Sequence, residues 1–269
     1  MKIGALSSVL GAEITGIDIS RPLDRDTVDE LIDAWHQHMV VVVRDQTMSD
    51  SELVAFSKYF GRLGQHVIND FLAPDHPEIL VISNIKENGR YLGLSTAGKR
   101  WHSDLQYAEE PAIGSIGYAV EMEGGDIAFA NMAAAYEALD EQTKKRLDGL
   151  EAIHSYTQTT RDAAREAREK EVPDVVHRAV LAHPTTGRKA LYVSHSMTKG
   201  FVGLPDVESQ TLLDSLNAHA IQEEFVYAHK YRNGDVVMWD NRSVMHRVIP
   251  YDPSLRRHLR RTTIMARDA

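Results

Sequence analysis

Apolar and polar positions along the chain alternate in short runs, which predict strands and helices mixed without a regular βαβ rhythm. A four-valine run at 40–43 is expected to be a fully buried strand, and Glu52 after Ser49 predicts a capping box that begins a helix. Strands are expected at 14–19, 40–43, 79–83, 113–120, 127–130, 179–183, 190–193, 225–230, 236–240 and 262–265. Helices are expected at 26–38, from the Ser49 cap to Phe60, at 133–139 and at 206–222.

Short strands separated by turns and helical excursions favour an antiparallel double sheet, a jelly roll, with the helices packed outside. The expected fold class is therefore mainly β with outer helices. No linker rich in Pro, Gly or Ser divides the chain, so residues 1–269 are expected to form a single domain. The charged stretch 160–172 holds few large apolar residues, and it predicts an exposed helix or a cover over the site within an insert around 155–178.

Composition limits the classes of function. Hydrophobic residues make up 43% of the chain and charged residues 26%, which is typical of a soluble globular protein. A net charge of -9 argues against nucleic-acid binding; the nearest basic feature is the run 256–261, which is either a solvated basic strand or an anion site. The absence of cysteine excludes disulfides and thiolate metal sites. No apolar run could span a membrane, so a cytoplasmic enzyme without a membrane partner is expected.

The most informative chemical feature is a His-x-Asp pair, His102 and Asp104, together with a distant histidine, His246. Two imidazoles and one carboxylate are the ligand set of non-haem Fe(II) oxygenases, which leave coordination positions open. Alternate side chains of an extended segment point the same way, so His102 and Asp104 can bind one face of a metal while Ser103 points away. Most of the ferrous charge stays uncompensated, which favours an anionic bidentate co-substrate such as a 2-oxo acid. Because the chain holds 13 histidines, a surface pair is the alternative interpretation.

Longer segments around these residues resemble a known family. The segments WHSDLQY, EMEGGDIAFANMAAAYEAL, GDVVMWDNRSVMHR and LRRHLRRTT are similar to the Fe(II)/2-oxoglutarate dioxygenases typified by taurine dioxygenase and 2,4-dichlorophenoxyacetate dioxygenase. The resemblance covers essentially the whole chain, and DNRSVMHR is closer to the phenoxyacetate branch. It implies a double-stranded β-helix with a cupin-like core, a catalytic iron on His102, Asp104 and His246, and 2-oxoglutarate and dioxygen as co-substrates. It also implies a homodimer or homotetramer.

The resemblance assigns roles to residues beyond the metal ligands. Arg257 matches the arginine that binds the distal carboxylate of 2-oxoglutarate, and a guanidinium can hold a carboxylate through two parallel bonds. On a strand Arg261 shares the face of Arg257, and it matches the residue that contacts the acidic group of the primary substrate. His66 aligns with a histidine that helps to bind the same group. Leu105 and Tyr107 would add apolar and aromatic surface to the substrate site, although a core position is an equal interpretation for Tyr107.

Ile127 departs from the family pattern. The family usually has a threonine directly after the Gly-Gly-Asp turn, where its hydroxyl helps to bind the 2-oxoglutarate carboxylate. Isoleucine cannot donate that bond, and an unpaired carboxylate oxygen in a dry pocket costs roughly 1 to 3 kcal/mol. We therefore expect weaker co-substrate binding, or a substitute donor such as Thr262 or an ordered water.

The resemblance implies an oxidation of a C–H bond that is coupled to decarboxylation of 2-oxoglutarate to succinate. Arg261 indicates a small anionic organic substrate, such as a sulfonate, a sulfate ester, a phosphonate or an aryloxy or alkyl carboxylate. If the attacked carbon carries a heteroatom, the hydroxylated product fragments. Two alternatives remain: a zinc hydrolase that uses the same three ligands but gives Arg257 no role, and a binding protein that has lost its chemistry.

Overall fold

The polypeptide folds mainly into strands, with a few helices. The computed structural model describes residues 1–65, 69–95, 98–156 and 172–267. The strands are β1 (Lys2–Ala5), β2 (Ala12–Thr15), β3 (Val40–Val43), β4 (Arg62–Gly64), β5 (Leu72–Ala73), β6 (His76–Ser83), β7 (Lys86–Glu87), β8 (Arg90–Tyr91), β9 (Gly114–Met122), β10 (Ile127–Asn131), β11 (Glu151–His154), β12 (Val175–Arg178), β13 (Val180–Ala182), β14 (Lys189–Leu191), β15 (Thr198–Phe201), β16 (Val226–His229), β17 (Val236–Asp240), β18 (Val244–Val248) and β19 (Arg257–Met265). The helices are α1 (Arg25–His38), α2 (Asp50–Ser57), α3 (Met132–Glu137), α4 (Glu141–Leu147) and α5 (Asp206–Ala220).

The largest sheet has nine strands. Its order is β1-β2-β3-β17-β9-β19-β6-β5, with β4 paired to β19. All of its pairs are antiparallel except β2 with β3. β19 pairs with both β9 and β6, so its side chains are held in register from both edges. This central position keeps residues on one face of β19 in fixed relation to the opposing sheet.

A second sheet of three strands has the order β16-β10-β18. The two sheets bury a common apolar cluster: Phe129 of β10 and Val244 of β18 meet Val237, Trp239 and Leu259 of the large sheet. This cluster forms the floor beneath the candidate site, because His246 lies opposite Phe129 in the register of β10 with β18.

The helices cover the outer faces of the sheets. Asp24 caps α1 by accepting from the Thr27 amide, and Met39 ends it with φ of 64°. α1 buries Leu31 and Trp35 in a cluster with the large sheet. The predicted capping box of Ser49 and Glu52 is confirmed at α2. Further along, α5 packs through Leu212, Leu213 and Leu216 into a separate cluster with α3.

The predicted element boundaries need corrections. The strand expected at 14–19 ends at Thr15, because Gly16 has a φ of +74° that breaks the extended backbone. α2 ends at Ser57 rather than Phe60. The strand expected at 262–265 belongs to the nine residues of β19, which begins at Arg257.

The insert expected around 155–178 is described only in part. Residues 157–171, which contain most of the charged stretch, lie outside the described residues. Val175–Arg178, at the end of the insert, is strand β12, which pairs with β11. The exposed helix or cover expected at 160–172 therefore stays a prediction. Within the described ranges, the helices lack the length and apolar character that crossing a membrane would need.

Candidate active site

His102 and His246 are joined through their backbones although they are far apart in sequence. The His102 amide donates to the His246 carbonyl at 3.1 Å, and the His246 amide donates to the His102 carbonyl at 2.8 Å. The two residues thus form an isolated antiparallel bridge at the edge of β18. The backbone turns directly afterwards, so Asp104 lies in a turn rather than in an extended segment. The predicted convergence of the pair on one side still holds, and Ser103 points away, donating to the Val244 carbonyl.

The three side chains form a compact group. His102 Nε2 lies 3.8 Å from Asp104 Oδ1, and His246 Nε2 lies 3.8 Å from Asp104 Oδ2. Ligand atoms of all three residues lie within 4.8 Å of one another. Such spacing suits three ligands on one face of a single metal ion.

His102 presents an unprotonated nitrogen toward the carboxylate. His102 Nδ1 lies 2.8 Å from the Arg100 carbonyl, which can only accept, so Nδ1 carries the proton and Nε2 keeps its lone pair. Burial lowers the pKa of His102 and lowers that of His246 well below its usual value, which keeps both rings neutral. Neutral imidazole is the form that binds metals.

Asp104 is held ionised and fixed in orientation. Ser115 Oγ donates to its Oδ2 at 2.7 Å, Arg261 Nη1 donates to its Oδ1 at 2.7 Å, and its amide donates to Asn241 Oδ1 at 3.1 Å. Burial by itself would raise the pKa of Asp104, but the Arg261 charge and the Ser115 bond hold the pKa below its usual range. The sequence did not point to Ser115; Asn241 stood within the WDNR motif without an assigned role.

Arg257 differs from the nearby arginines in lacking a carboxylate partner within the described part of the chain. Arg256 pairs with Glu121, Arg260 with Asp50 and Arg261 with Asp104. The Arg257 side chain is only 5% exposed, and its Nε donates to the Gly125 carbonyl at 3.2 Å. Among the described residues it has no carboxylate partner. A buried guanidinium without a counter-ion is unstable unless an anion reaches it, so the geometry fits an anionic ligand at this position.

The position expected to support 2-oxoglutarate is apolar, as the sequence indicated. Ile127 is 3% exposed and belongs to the cluster between the two sheets. The suggestion that Thr262 replaces the missing hydroxyl donor to 2-oxoglutarate is wrong. Thr262 Oγ1 lies 2.7 Å from Ser57 Oγ, and it points to the opposite face of β19 from Arg257 and Arg261.

The expected substrate-lining residues have mixed outcomes. Leu105 has a φ of 53° and packs beside Tyr107, Tyr156 and Met197 in a small apolar cluster. Tyr107 is buried in this cluster, which is compatible both with a position in the core and with a position that lines the substrate site. His66 lies outside the described residues. Tyr192 is near enough for the Asp104 charge to act on it, although burial is the larger cause of its raised pKa.

A second group of possible ligands, His36, His183 and Asp240, has a different character. His183 Nδ1 accepts from the amides of Thr185 and Thr186, so its Nε2 carries the proton that it donates to Asp240 at 2.8 Å. Both Asp240 oxygens also accept from Arg242, at 2.8 and 2.6 Å. With both His183 nitrogens and the carboxylate already in use, this group is a hydrogen-bonded support for the loop that leads to His246.

Comparisons with known proteins find relatives over nearly the whole chain. The family model described as Taurine catabolism dioxygenase TauD, TfdA family matches residues 2–263. The chain is 33% identical to Pentalenolactone F synthase of Streptomyces avermitilis, over 97% of this chain and 92% of that protein. It is 34% identical to the alpha-ketoglutarate-dependent 2,4-dichlorophenoxyacetate dioxygenase of Cupriavidus pinatubonensis, over 97% of this chain and 96% of that protein. The crystal structure of AAD-2 in complex with Mn(II) and N-oxalylglycine matches with a TM-score of 0.85 and 32% identity, over 99% of both chains.

Proposed function

Since this chain belongs to the TauD/TfdA family and is a 2-oxoglutarate-dependent dioxygenase, we propose that it uses Fe(II) to hydroxylate a C–H bond of a small anionic organic substrate. The observation that carries the proposal is the combination of the His102, Asp104 and His246 group with a buried arginine, Arg257, that has no carboxylate partner among the described residues. The first provides a metal site with open positions, and the second provides an anchor for a dicarboxylate.

The residues fit an iron ion. His102 Nε2, His246 Nε2 and the Asp104 carboxylate would hold it, because the imidazoles are neutral and the carboxylate is ionised. Bound iron, with 2-oxoglutarate and dioxygen, supplies the oxidation of a C–H bond and the release of succinate and carbon dioxide. The chain's own contribution is orientation. Ser115 and Asn241 fix the carboxylate, and the backbone bridge fixes the two rings.

Arg257 would bind the distal carboxylate of 2-oxoglutarate. Its Nε is tied to the Gly125 carbonyl, which sets the plane of the guanidinium and leaves the terminal nitrogens for a two-bond contact. In the AAD-2 complex, N-oxalylglycine is an analogue of 2-oxoglutarate. A zinc hydrolase with the same metal ligands would leave this buried charge without a counter-ion, so Arg257 favours the oxygenase.

The primary substrate would combine an acidic group with an apolar body. Arg261, buried beside the metal carboxylate, would contact the acidic group, and His66 is proposed to assist it. Leu105 and Tyr107 lie in the apolar cluster that follows the metal pair, which suits an aryl or alkyl chain. We propose an aryloxy or alkyl carboxylate, a sulfonate or a sulfate ester. Where the hydroxylated carbon carries an oxygen or sulfur, the product would fragment.

We further propose that the two opposing sheets are the halves of a double-stranded β-helix, a jelly roll, and that residues 1–269 form one domain. Support comes from the shared apolar cluster between the sheets and from the match to AAD-2 over 99% of both chains. The homo-oligomer, a dimer or tetramer, stays a prediction.

The test is anaerobic. Fe(II) and 2-oxoglutarate are added to metal-free protein, and the visible charge-transfer band of the chelate is recorded for the parent, His246→Ala, Arg257→Ala and Arg256→Ala. We expect a band in the parent, none with His246→Ala, and a band that needs much more 2-oxoglutarate with Arg257→Ala. Arg256→Ala is the matched control, since Arg256 pairs with Glu121 at the surface and should titrate like the parent.

The absence of a band in the parent protein would overturn the oxygenase proposal. When the band is present, succinate release is measured with a panel of aryloxy acids, alkyl carboxylates, sulfonates and sulfate esters. Release that depends on one member of the panel identifies the substrate class. Release that no member stimulates would contradict the proposed class of substrate.

A further inference from the structure

The hydroxyl of Tyr231 is a buried polar group without a partner. The Tyr231 side chain is 5% exposed, and its hydroxyl forms no hydrogen bond within the described part of the chain. Buried hydroxyls are almost always paired, because an unpaired one loses its bonds to water without replacement. An unpaired buried hydroxyl is therefore a candidate hydrogen-bond donor to a bound ligand.

Tyr231 lies where the 2-oxoglutarate anchor is proposed. Its amide donates to Asp126 Oδ1 at 3.0 Å, and its ring shares an apolar cluster with Ile127. Arg257 Nε bonds to the Gly125 carbonyl, one residue before Asp126. Residues 125–127 therefore bond the Tyr231 backbone and the Arg257 guanidinium and include the isoleucine that packs in the same cluster as the Tyr231 ring.

The electrostatics agree with this proximity. Burial raises the pKa of Tyr231, while the Arg257 charge acts on the phenol in the opposite direction. Burial lowers the pKa of Arg257, and Tyr231 counters that shift. The phenol stays neutral at physiological pH and keeps its proton, so it is a hydrogen-bond donor.

We propose that the Tyr231 hydroxyl donates a hydrogen bond to the distal carboxylate of 2-oxoglutarate, beside Arg257, and so supplies the bond that Ile127 cannot make. This inference rests on the proposed function. Thr262 is unavailable as an alternative donor because its hydroxyl is bonded to Ser57. Tyr251 also acts on the Arg257 charge, but it is only half-buried and water can satisfy its hydroxyl.

The test measures co-substrate binding rather than turnover. The anaerobic Fe(II) chelate band is titrated with 2-oxoglutarate in the parent and in Tyr231→Phe, which removes only the hydroxyl. We expect the dissociation constant to rise about five- to tenfold. Titration with 2-oxopentanoate, which has a methyl group in place of the distal carboxylate, should give the same constant in both proteins.

Two further variants sharpen the test. Ile127→Thr in the Tyr231→Phe background restores a hydroxyl at the turn and should recover most of the lost affinity. Tyr227→Phe removes a hydroxyl from the same strand region, where it bonds His229 instead, and should leave the 2-oxoglutarate titration unchanged. Without co-substrate, Tyr231→Phe should melt at or above the parent temperature, since it removes an unpaired group, so weaker binding would not reflect misfolding.

The inference is overturned if Tyr231→Phe titrates with 2-oxoglutarate like the parent, or if Tyr251→Phe carries the loss instead. It is also overturned if 2-oxopentanoate binding weakens by the same factor, because the hydroxyl would then act elsewhere than on the distal carboxylate. Failure of the proposed function is a separate result, in which the parent itself shows no chelate band.

Discussion

Ser115 Oγ donates a 2.7 Å hydrogen bond to Oδ2 of Asp104. Ser115 also accepts a 3.2 Å bond from the Asn241 side-chain amide, whose oxygen in turn accepts from the Asp104 backbone. Ser115 lies in β9, Asp104 lies in the turn after His102, and Asn241 directly follows β17. Together they fix the carboxylate in the orientation that faces both histidines.

Ser115→Ala should weaken Fe(II) binding by about 10–100-fold, because supporting hydrogen bonds orient metal ligands and their loss has effects of this size. Metal affinity is measured anaerobically by competition with a chelator of known affinity. Ser57→Ala is the control, since Ser57 is equally buried but bonds Thr262. Equal metal affinity in Ser115→Ala and the parent would show that the bond does not orient Asp104.

The protein should bind one metal ion per chain. His183→Ala should leave that stoichiometry unchanged, because both nitrogens of His183 are already used in hydrogen bonds. It should lower the free energy of unfolding by about 1–3 kcal/mol, since it leaves one of the bonds to buried Asp240 unmade. Metal analysis after dialysis and denaturant unfolding measure the two effects. A second ion that disappears in His183→Ala would contradict the structural role of this group.

Arg261→Lys should raise KM for the primary substrate by about 10–100-fold, because a buried guanidinium bond to a charged group contributes about 1.5–3 kcal/mol and an ammonium cannot reproduce its geometry. Lysine keeps a positive charge beside Asp104, so the dissociation constant for 2-oxoglutarate should change less than the KM of the primary substrate. Arg260→Lys, on the outer face of β19 beside Asp50, is the matched control. A change confined to 2-oxoglutarate binding would reverse the roles proposed for Arg257 and Arg261.

The free energy of unfolding should fall as the pH falls below about 6.5, the ordinary pKa of histidine. Burial lowers the pKa of His154 to about 3, with His177 adding to the shift, so between these values the unfolded chain binds a proton that the folded chain does not. The loss from His154 between pH 7 and pH 5 should be about 1–2 kcal/mol. Denaturant unfolding at both pH values measures it, and His154→Gln should show a smaller loss. An equal loss in the variant would mean that His154 does not contribute.

Gly114→Ala should destabilise the fold by about 1–3 kcal/mol, as overpacking of a tight core does. A Cβ at this position would lie 2.8 Å from Trp35 Cη2 and 3.0 Å from the Trp239 carbonyl, both rigid parts of the core. Gly4→Ala is the control, because a Cβ there would meet nothing within 4 Å. Thermal unfolding of the two variants distinguishes the cause: equal melting temperatures would show that Trp35 can move aside.

Residue spacing and the family resemblance together predicted the main parts of the candidate site. The His-x-Asp pair and His246 meet as predicted, and Arg257 and Arg261 share a buried face of β19 because side chains alternate along a strand. The same alternation excludes Thr262 as a donor to 2-oxoglutarate, because Thr262 lies on the opposite face of β19. That conclusion requires knowing that 257–262 is one continuous strand. The apolar pattern placed the start of the strand at 262, because charged residues conceal a strand that is buried on one face, and only the argument from Arg257 and Arg261 treated 257–261 as extended.

By itself the sequence determined the family, the ligand types, the unusual isoleucine at 127 and the predominance of strands, because these depend on residue identity and local periodicity. Only the tertiary structure decided which polar groups are paired. The bond of Ser115 to Asp104, the unpaired hydroxyl of Tyr231 and the exhausted hydrogen-bonding capacity of His183 each depend on contacts between distant segments. Hydrogen bonds act over about 3 Å, and no local pattern records which strands approach within that distance.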